Sequence, residues 1–143
     1  MKAEEHEAMT DLQSRTAQQV FDDHLRLSQQ QAFDEDIRRN FSPDCVVLTG
    51  RGVFRGHDGL QTLARMLGDE VPTGQWEYRV RLVEGNAAYL EWSAHSENAV
   101  VDDGADSFFI VDGHVVAQTI HYTVKNHEGQ TIVGPDGRRH PGS

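Results

Sequence analysis

Apolar residues follow a helical period up to Gly68 and a period of two from Gln75 onward. Residues 10–13 read Thr-x-x-Gln, a capping box that would satisfy free backbone amides at a helix start, and good helix formers follow as far as Gln31. On this first helix Ala17, Val20, Phe21, His24 and Ser28 form one stripe, which places an imidazole in the middle of the buried face. Phe33, Ile37 and Phe41, four residues apart, predict a second, short helix with Asp34 as its cap, ended by Ser42-Pro43-Asp44. Residues 45–49 and 53–55 read as short strands on either side of the turn Gly50-Arg51-Gly52. Leu60, Leu63, Ala64 and Leu67 then mark a third helix that stops near Gly68, ahead of Pro72.

From Gln75 the alternation of Trp76, Tyr78, Val80 and Leu82 with Glu77, Arg79 and Arg81 is that of a strand with one buried and one wet face. The next turns set the register, because each must leave apolar faces opposite one another. A three-residue loop at Glu84-Gly85-Asn86 pairs Leu82 with Ala88, Val80 with Leu90 and Tyr78 with Trp92. A tight turn at Glu97-Asn98 sets Ala94 opposite Val101, Trp92 opposite Asp103 and Leu90 opposite Ala105. Another at Asp112-Gly113 sets Phe109 opposite Val116 and Ser107 opposite Gln118. One face then collects Trp76, Tyr78, Val80, Leu90, Trp92, Ala105, Ser107, Phe109, Val116, Gln118, Ile120 and Tyr122. The other carries Glu77, Arg79, Arg81, Glu91, His95, Asp106, Thr119 and His121, with the apolar Tyr89, Phe108, Ile110 and Val115 among them. Apolar residues on a wet face call for cover, and a homodimer interface over Tyr89, Phe108, Ile110, Val115 and His121 is the expectation.

The length suits one domain over residues 1–124, with its core over about 10–124, and the Gly-, Pro- and charge-rich residues 125–143 read as a C-terminal tail. A net charge of -10 argues against nucleic acid, whose binding needs clustered Lys and Arg. Cys45 is the only cysteine, which leaves no intrachain disulfide and no cysteine-based zinc cluster, and favours a reducing compartment. An acidic start and the lack of a long apolar run predict a cytoplasmic protein with no membrane association.

The order helix, short helix, two short strands, helix and four long antiparallel strands resembles the nuclear transport factor 2-like superfamily, in particular its SnoaL-like, polyketide cyclase-like branch. The residues that carry the likeness are Phe41-Ser42-Pro43-Asp44-Cys45-Val46-Val47, Gly56-His57-Asp58-Gly59-Leu60 and residues 109–116 (Phe-Ile-Val-Asp-Gly-His-Val-Val). The resemblance implies an α+β, cystatin-like cone in which a strongly curved mixed or antiparallel sheet wraps three helices around a pocket. It also shows what is missing. The essential Asp of epoxide hydrolases and polyketide cyclases of this fold falls at Ile120, and the hydrolases' Arg and second Asp fall at Trp92 and Ala94. The ketosteroid isomerase base falls near Thr49, and its two oxyanion donors near Ser107 and near His24 or Leu25. The His and Asp pair of the scytalone dehydratase type is not assembled by the sequence alone.

Two residues are catalytic candidates. His24 holds both protonation states near neutral pH, and Asp103 would gain a raised pKa inside an apolar cavity. Each has a plain alternative, a hydrogen-bonded core imidazole and a solvated strand end. Thr49, Trp76, Tyr78, Trp92, Ser107, Gln118, Ile120 and Tyr122 are the expected pocket wall. His95, His121, Asp106 and Glu91 lack metal-ligand spacing, so neither a metal nor a cofactor is expected. The reading is a pocket for a small, largely apolar molecule. Whether a reaction takes place stays open, and an enzyme would be a cofactor-free isomerase, dehydratase or cyclase. The alternative is a non-catalytic dimerisation or protein-interaction module that uses the outer sheet face.

Overall fold

A computed structural model describes residues 12–140. Helices α1 (Ala17–Gln29), α2 (Phe33–Asn40) and α3 (Gly56–Glu70) are enclosed by strands β1 (Phe41–Thr49), β2 (Gly52–Arg55), β3 (Gln75–Glu84), β4 (Ala87–His95), β5 (Val100–Val111), β6 (His114–His121), β7 (Val124–Lys125) and β8 (Thr131–Val133). The sheet runs β2-β1-β6-β5-β4-β3, with β1 parallel to β6 and the other pairs antiparallel. It curls around the helices as a half-barrel, the α+β cone expected.

Helix α1 starts six residues later than expected. Thr10 lies outside the described residues, and the pattern Thr-x-x-Gln recurs at Thr16 and Gln19, where both capping bonds form. Arg15, just ahead of this cap, donates to Asn40 Oδ1 at 2.8 Å and to the carbonyls of Arg39 and Gly113, both at 2.9 Å. The start of α1 is thereby tied to the end of α2 and to the β5–β6 turn. Asp34 is not the cap of α2. Ala32 takes that place without a side-chain bond, and Asp34, Glu35 and Asp36 fill the first turn, where the helix dipole favours carboxylates. Phe41 opens β1 instead of closing α2, since an extended strand accommodates the residues before Pro43.

The registers of the long strands differ from simple alternation at three places. The β3–β4 turn has two residues, Gly85 and Asn86, so Leu82 faces Tyr89 on the outer side; an extra residue at Arg79 then restores Tyr78 opposite Trp92. In the β4–β5 pair Ala94 faces Val101 as expected, but an extra residue on β5 places Gly104, not Asp103, opposite Trp92 and Asp106 opposite Leu90. In the β5–β6 pair an extra residue at Val116 leaves Phe109 facing Ala117 and Phe108 facing Gln118. Each shift moves side chains to the other face. Asp106, Phe108 and Ile110 therefore point inward, while Ala105, Ser107 and Phe109 point outward.

Residues 125–140 are not a separate tail. Strand β7 pairs with β5 and β8 with β7, and Val133 is buried in the same core as Phe21, Trp92 and Phe108. Asp103 explains how β7 is held. Between β6 and β7 the ladder lapses at Tyr122 and Thr123, and Asp103 accepts from Thr123 N at 2.8 Å and from Thr123 Oγ1 at 2.7 Å. No helix among the described residues is long and apolar enough to cross a membrane.

Candidate functional site

The helices do not fill the cone. A cavity of about 490 Å³ lies between α1, α2, α3 and the concave face of the sheet, walled by Phe41, Leu60, Leu63, Leu67, Val71, Leu90 and Ile120, with Trp76 and Tyr78 on β3. Trp76 and Trp92 stack with ring centroids 6.4 Å apart, and Tyr122 lies 5.7 Å from Trp92. The wall is apolar enough that each polar group in it must be held by a partner or be free to meet a ligand.

His24 reaches this cavity from the middle of α1, as its place in the apolar stripe predicts. Its Nδ1 meets Asp36 Oδ2 at 2.7 Å, with both side chains almost covered. Asn40 Nδ2 donates to Asp36 Oδ1 at 2.8 Å, and Arg15 holds the Asn40 side chain from behind. Thus one polar chain, Arg15 to Asn40 to Asp36 to His24, runs from the outside of the helical layer to the cavity. Burial by itself lowers the imidazole pKa, but attraction and hydrogen bonding from Asp36, with further attraction from Asp106, outweigh it and leave His24 above its ordinary value. Phe41 and Phe108 flank the ring edge-on.

Asp106 faces the helices from β5 and lines the cavity. Trp92 Nε1 donates to its Oδ1 at 3.0 Å and Gln118 Nε2 to its Oδ2 at 3.3 Å. Burial pushes the carboxyl up to about 6, against the opposing pull of Trp92, His24 and Gln118. This is the largest departure from the sequence reading, which set Asp106 on the outer face. A single extra residue in β5 brings it in.

A second buried polar group closes the other side of Tyr122. Its hydroxyl donates to Glu70 Oε1 at 2.6 Å, Arg51 pairs with the same carboxylate, and the guanidinium lies 4.3 Å from the Tyr122 ring centroid. Burial and the Glu70 carboxylate both raise the Tyr122 phenol far above its ordinary value, so it is a fixed donor rather than a base.

Six of the eight residues expected to form the pocket wall border the cavity: Trp76, Tyr78, Trp92, Gln118, Ile120 and Tyr122. Thr49 and Ser107 do not. Thr49 bonds within the β1–β2 turn, to Gly52 O and from Arg51 N, and Ser107 is exposed between Tyr89 and Thr119 on the outer face. Of the catalytic candidates His24 is in the cavity, whereas Asp103 sits in the β6–β7 gap, 3.4 Å from His121, with a lowered pKa because the Thr123 bonds outweigh its burial. The apolar residues expected to cover a dimer contact also divide. Phe108, Ile110 and Val115 are core residues, exposed by 3%, 2% and 1%, because the Val116 bulge and the shift in β5 turn them inward. Tyr89 and His121 stay on the outer face, joined there by Leu82 and Phe109. Asp36 was not foreseen at all; three consecutive acids open α2, and nothing in their order says which one turns inward. Among the described residues no group of three or more His, Cys, Asp or Glu is placed to hold a metal ion.

No protein-family model and no curated protein matches the sequence. Solved structures share its fold. An NTF2-like protein of unknown function from Burkholderia xenovorans superposes with a TM-score of 0.63 at 18% identity, over 74% of this chain and 81% of that one. A candidate polyketide cyclase from Sinorhizobium meliloti gives 0.55 at 20% identity, over 66% and 86% of the two chains. A candidate ketosteroid isomerase from Kribbella flavida gives 0.58 at 18% identity, over 81% and 78%. The fold is therefore that of the nuclear transport factor 2-like and SnoaL-like proteins.

Proposed function

We propose that this chain of nuclear transport factor 2-like fold binds a small, largely apolar molecule in its cavity and that His24 moves a proton on it. The observation that carries the reading is the His24–Asp36 contact at 2.7 Å in an otherwise apolar wall, with Asp106 also facing the cavity. With Nδ1 engaged by Asp36, Nε2 is the ring nitrogen left for a ligand. A carboxylate behind the imidazole fixes its orientation and stabilises the protonated form, the arrangement general acid–base catalysis requires. Asp106, poised near neutrality by burial, is a second group able to give or take a proton. Two such groups suit an isomerisation, dehydration or cyclisation that proceeds by proton transfer. The solved neighbours described as cyclase and isomerase candidates are in keeping with this class.

The test is mass spectrometry of small molecules released from the purified protein, followed by turnover of the molecule found. His24→Gln should still retain the molecule but convert it at least about 100-fold more slowly, the usual contribution of one acid–base group. Unchanged turnover in that variant would remove His24 from the chemistry.

A second reading, a dimerisation or protein-interaction module, draws support from the outer face. Leu82 and Phe109 are 60% and 48% exposed there, with Tyr89 between their strands. The interface would then use Leu82, Tyr89 and Phe109 in place of Phe108, Ile110 and Val115. A monomer by sedimentation at micromolar concentration would count against it.

A further inference from the structure

Resting on the reading of the cavity as a ligand pocket, one atom narrows the kind of ligand. Gln118 lines the cavity and is 5% exposed; its Nε2 donates to Asp106, and its Oε1 is buried without a hydrogen-bond partner. Buried acceptors are nearly always paired, so an orphan on a residue that lines the cavity calls for a donor. Turning the amide over does not relieve it. Oε1 would then face Asp106 Oδ2, acceptor against acceptor, while Asp106 Oδ1 is already held by Trp92 Nε1 at 3.0 Å. Asp106 in its ionised form thus decides which end of the amide is left over. The neighbouring wall is aromatic, with Trp92 in ring contact with both Trp76 and Tyr122. Aromatic faces favour flat, conjugated molecules. We infer that Gln118 is a specificity-determining residue that accepts a hydrogen bond from a hydroxyl or N–H group on a flat, conjugated ligand, with Asp106 setting the direction of its amide.

Two bicyclic probes separate donor from acceptor: 2-naphthol, and 2-acetylnaphthalene, which can only accept. Calorimetric dissociation constants at pH 7.5 should favour the naphthol by about tenfold, the effect of one matched hydrogen bond against an unpaired acceptor. Gln118→Leu should bring the two within about threefold of each other. Asp106→Asn should reverse the preference, since its amide would donate to Oε1 and turn Nε2 towards the ligand. The unmodified protein at pH 5, where Asp106 is protonated, should shift the same way; this arm holds even if a variant fails to fold. Binding of both probes with a ratio unaltered by Gln118→Leu would mean that Oε1 is met by ordered water, which overturns the assignment and leaves the pocket intact. Binding of neither probe to the folded protein would overturn the pocket reading and the assignment with it.

Discussion

His24 on α1 and Asp36 on α2 meet at 2.7 Å across the turn between the two helices, and Asn40 holds the second oxygen of the same carboxylate. Twelve residues apart in the chain, they become one unit only because α2 folds back along α1. Asp36 is therefore what keeps a buried imidazole protonatable.

The first prediction is read by NMR titration. The His24 imidazole should titrate above 6.5, and Asp36→Asn should move it below that value, because burial then acts with far less opposition. In linkage terms a raised histidine contributes stability that is full below its unfolded pKa and is lost as pH rises through the folded one. The unmodified protein should accordingly lose part of its advantage over Asp36→Asn above that folded pKa. Equal His24 titration in both proteins would dismiss the pair.

Asp106 has the opposite sign from an ordinary salt-bridged carboxylate. Burial pushes its folded pKa up to about 6, above the ordinary 3.8, so the native state binds the extra proton and stability falls as pH rises between those values. Asp106→Asn lacks this slope. Relative to the unmodified protein it should gain roughly 1–3 kcal/mol between pH 4 and pH 7 in urea denaturation, on the scale of 1.36 kcal/mol per pKa unit. A flat difference between the two curves would place Asp106 in contact with solvent.

Gly104 sits opposite Trp92, and a Cβ added there would overlap the indole ring. The β5 bulge brings this glycine to a register position where a side chain cannot fit. Gly104→Ala should destabilise the protein by about 1–3 kcal/mol, as overpacking does, and should disturb the Trp92–Asp106 bond with it. Thermal melting with near-ultraviolet circular dichroism reads both effects; an unchanged tryptophan signal would contradict the contact.

Glu70 joins Arg51 and Tyr122 where all three side chains are buried, Arg51 and Glu70 being 5% and 6% exposed. Removing one partner strands a buried charge. Glu70→Ala should cost about 3–5 kcal/mol, whereas the isosteric Glu70→Gln, which keeps an acceptor for Tyr122, should cost less. Loss of under about 1 kcal/mol in Glu70→Ala, the range of exposed pairs, would mean the pair is solvated.

Much of the fold was legible in the residues themselves. The helical stripe placed His24 on the inner face, the alternation on β3, β4 and β6 placed Trp76, Tyr78, Trp92, Gln118 and Tyr122 together, and Asp112-Gly113 marked its hairpin, where both residues adopt positive φ. Those features depend on periods of 3.6 and 2, which a chain carries locally. The second carboxylate was not legible. Alternation predicts faces only while strands stay in step, and a bulge leaves no mark in the pattern of apolar and polar residues.

The sequence by itself determined the three helices, the run of antiparallel strands, the inward imidazole and the aromatic wall, because burial of apolar residues at regular spacing allows few other solutions; the cone was implied by the resemblance that their order carries. Tertiary structure decided the rest. One extra residue in β5 exchanged Ser107 for Asp106 at the cavity and Phe109 for Phe108 in the core, and α2 packing chose Asp36 from three adjacent acids. Backbone pairing across strands and the angle between helices set those choices, and both arise only when distant segments meet.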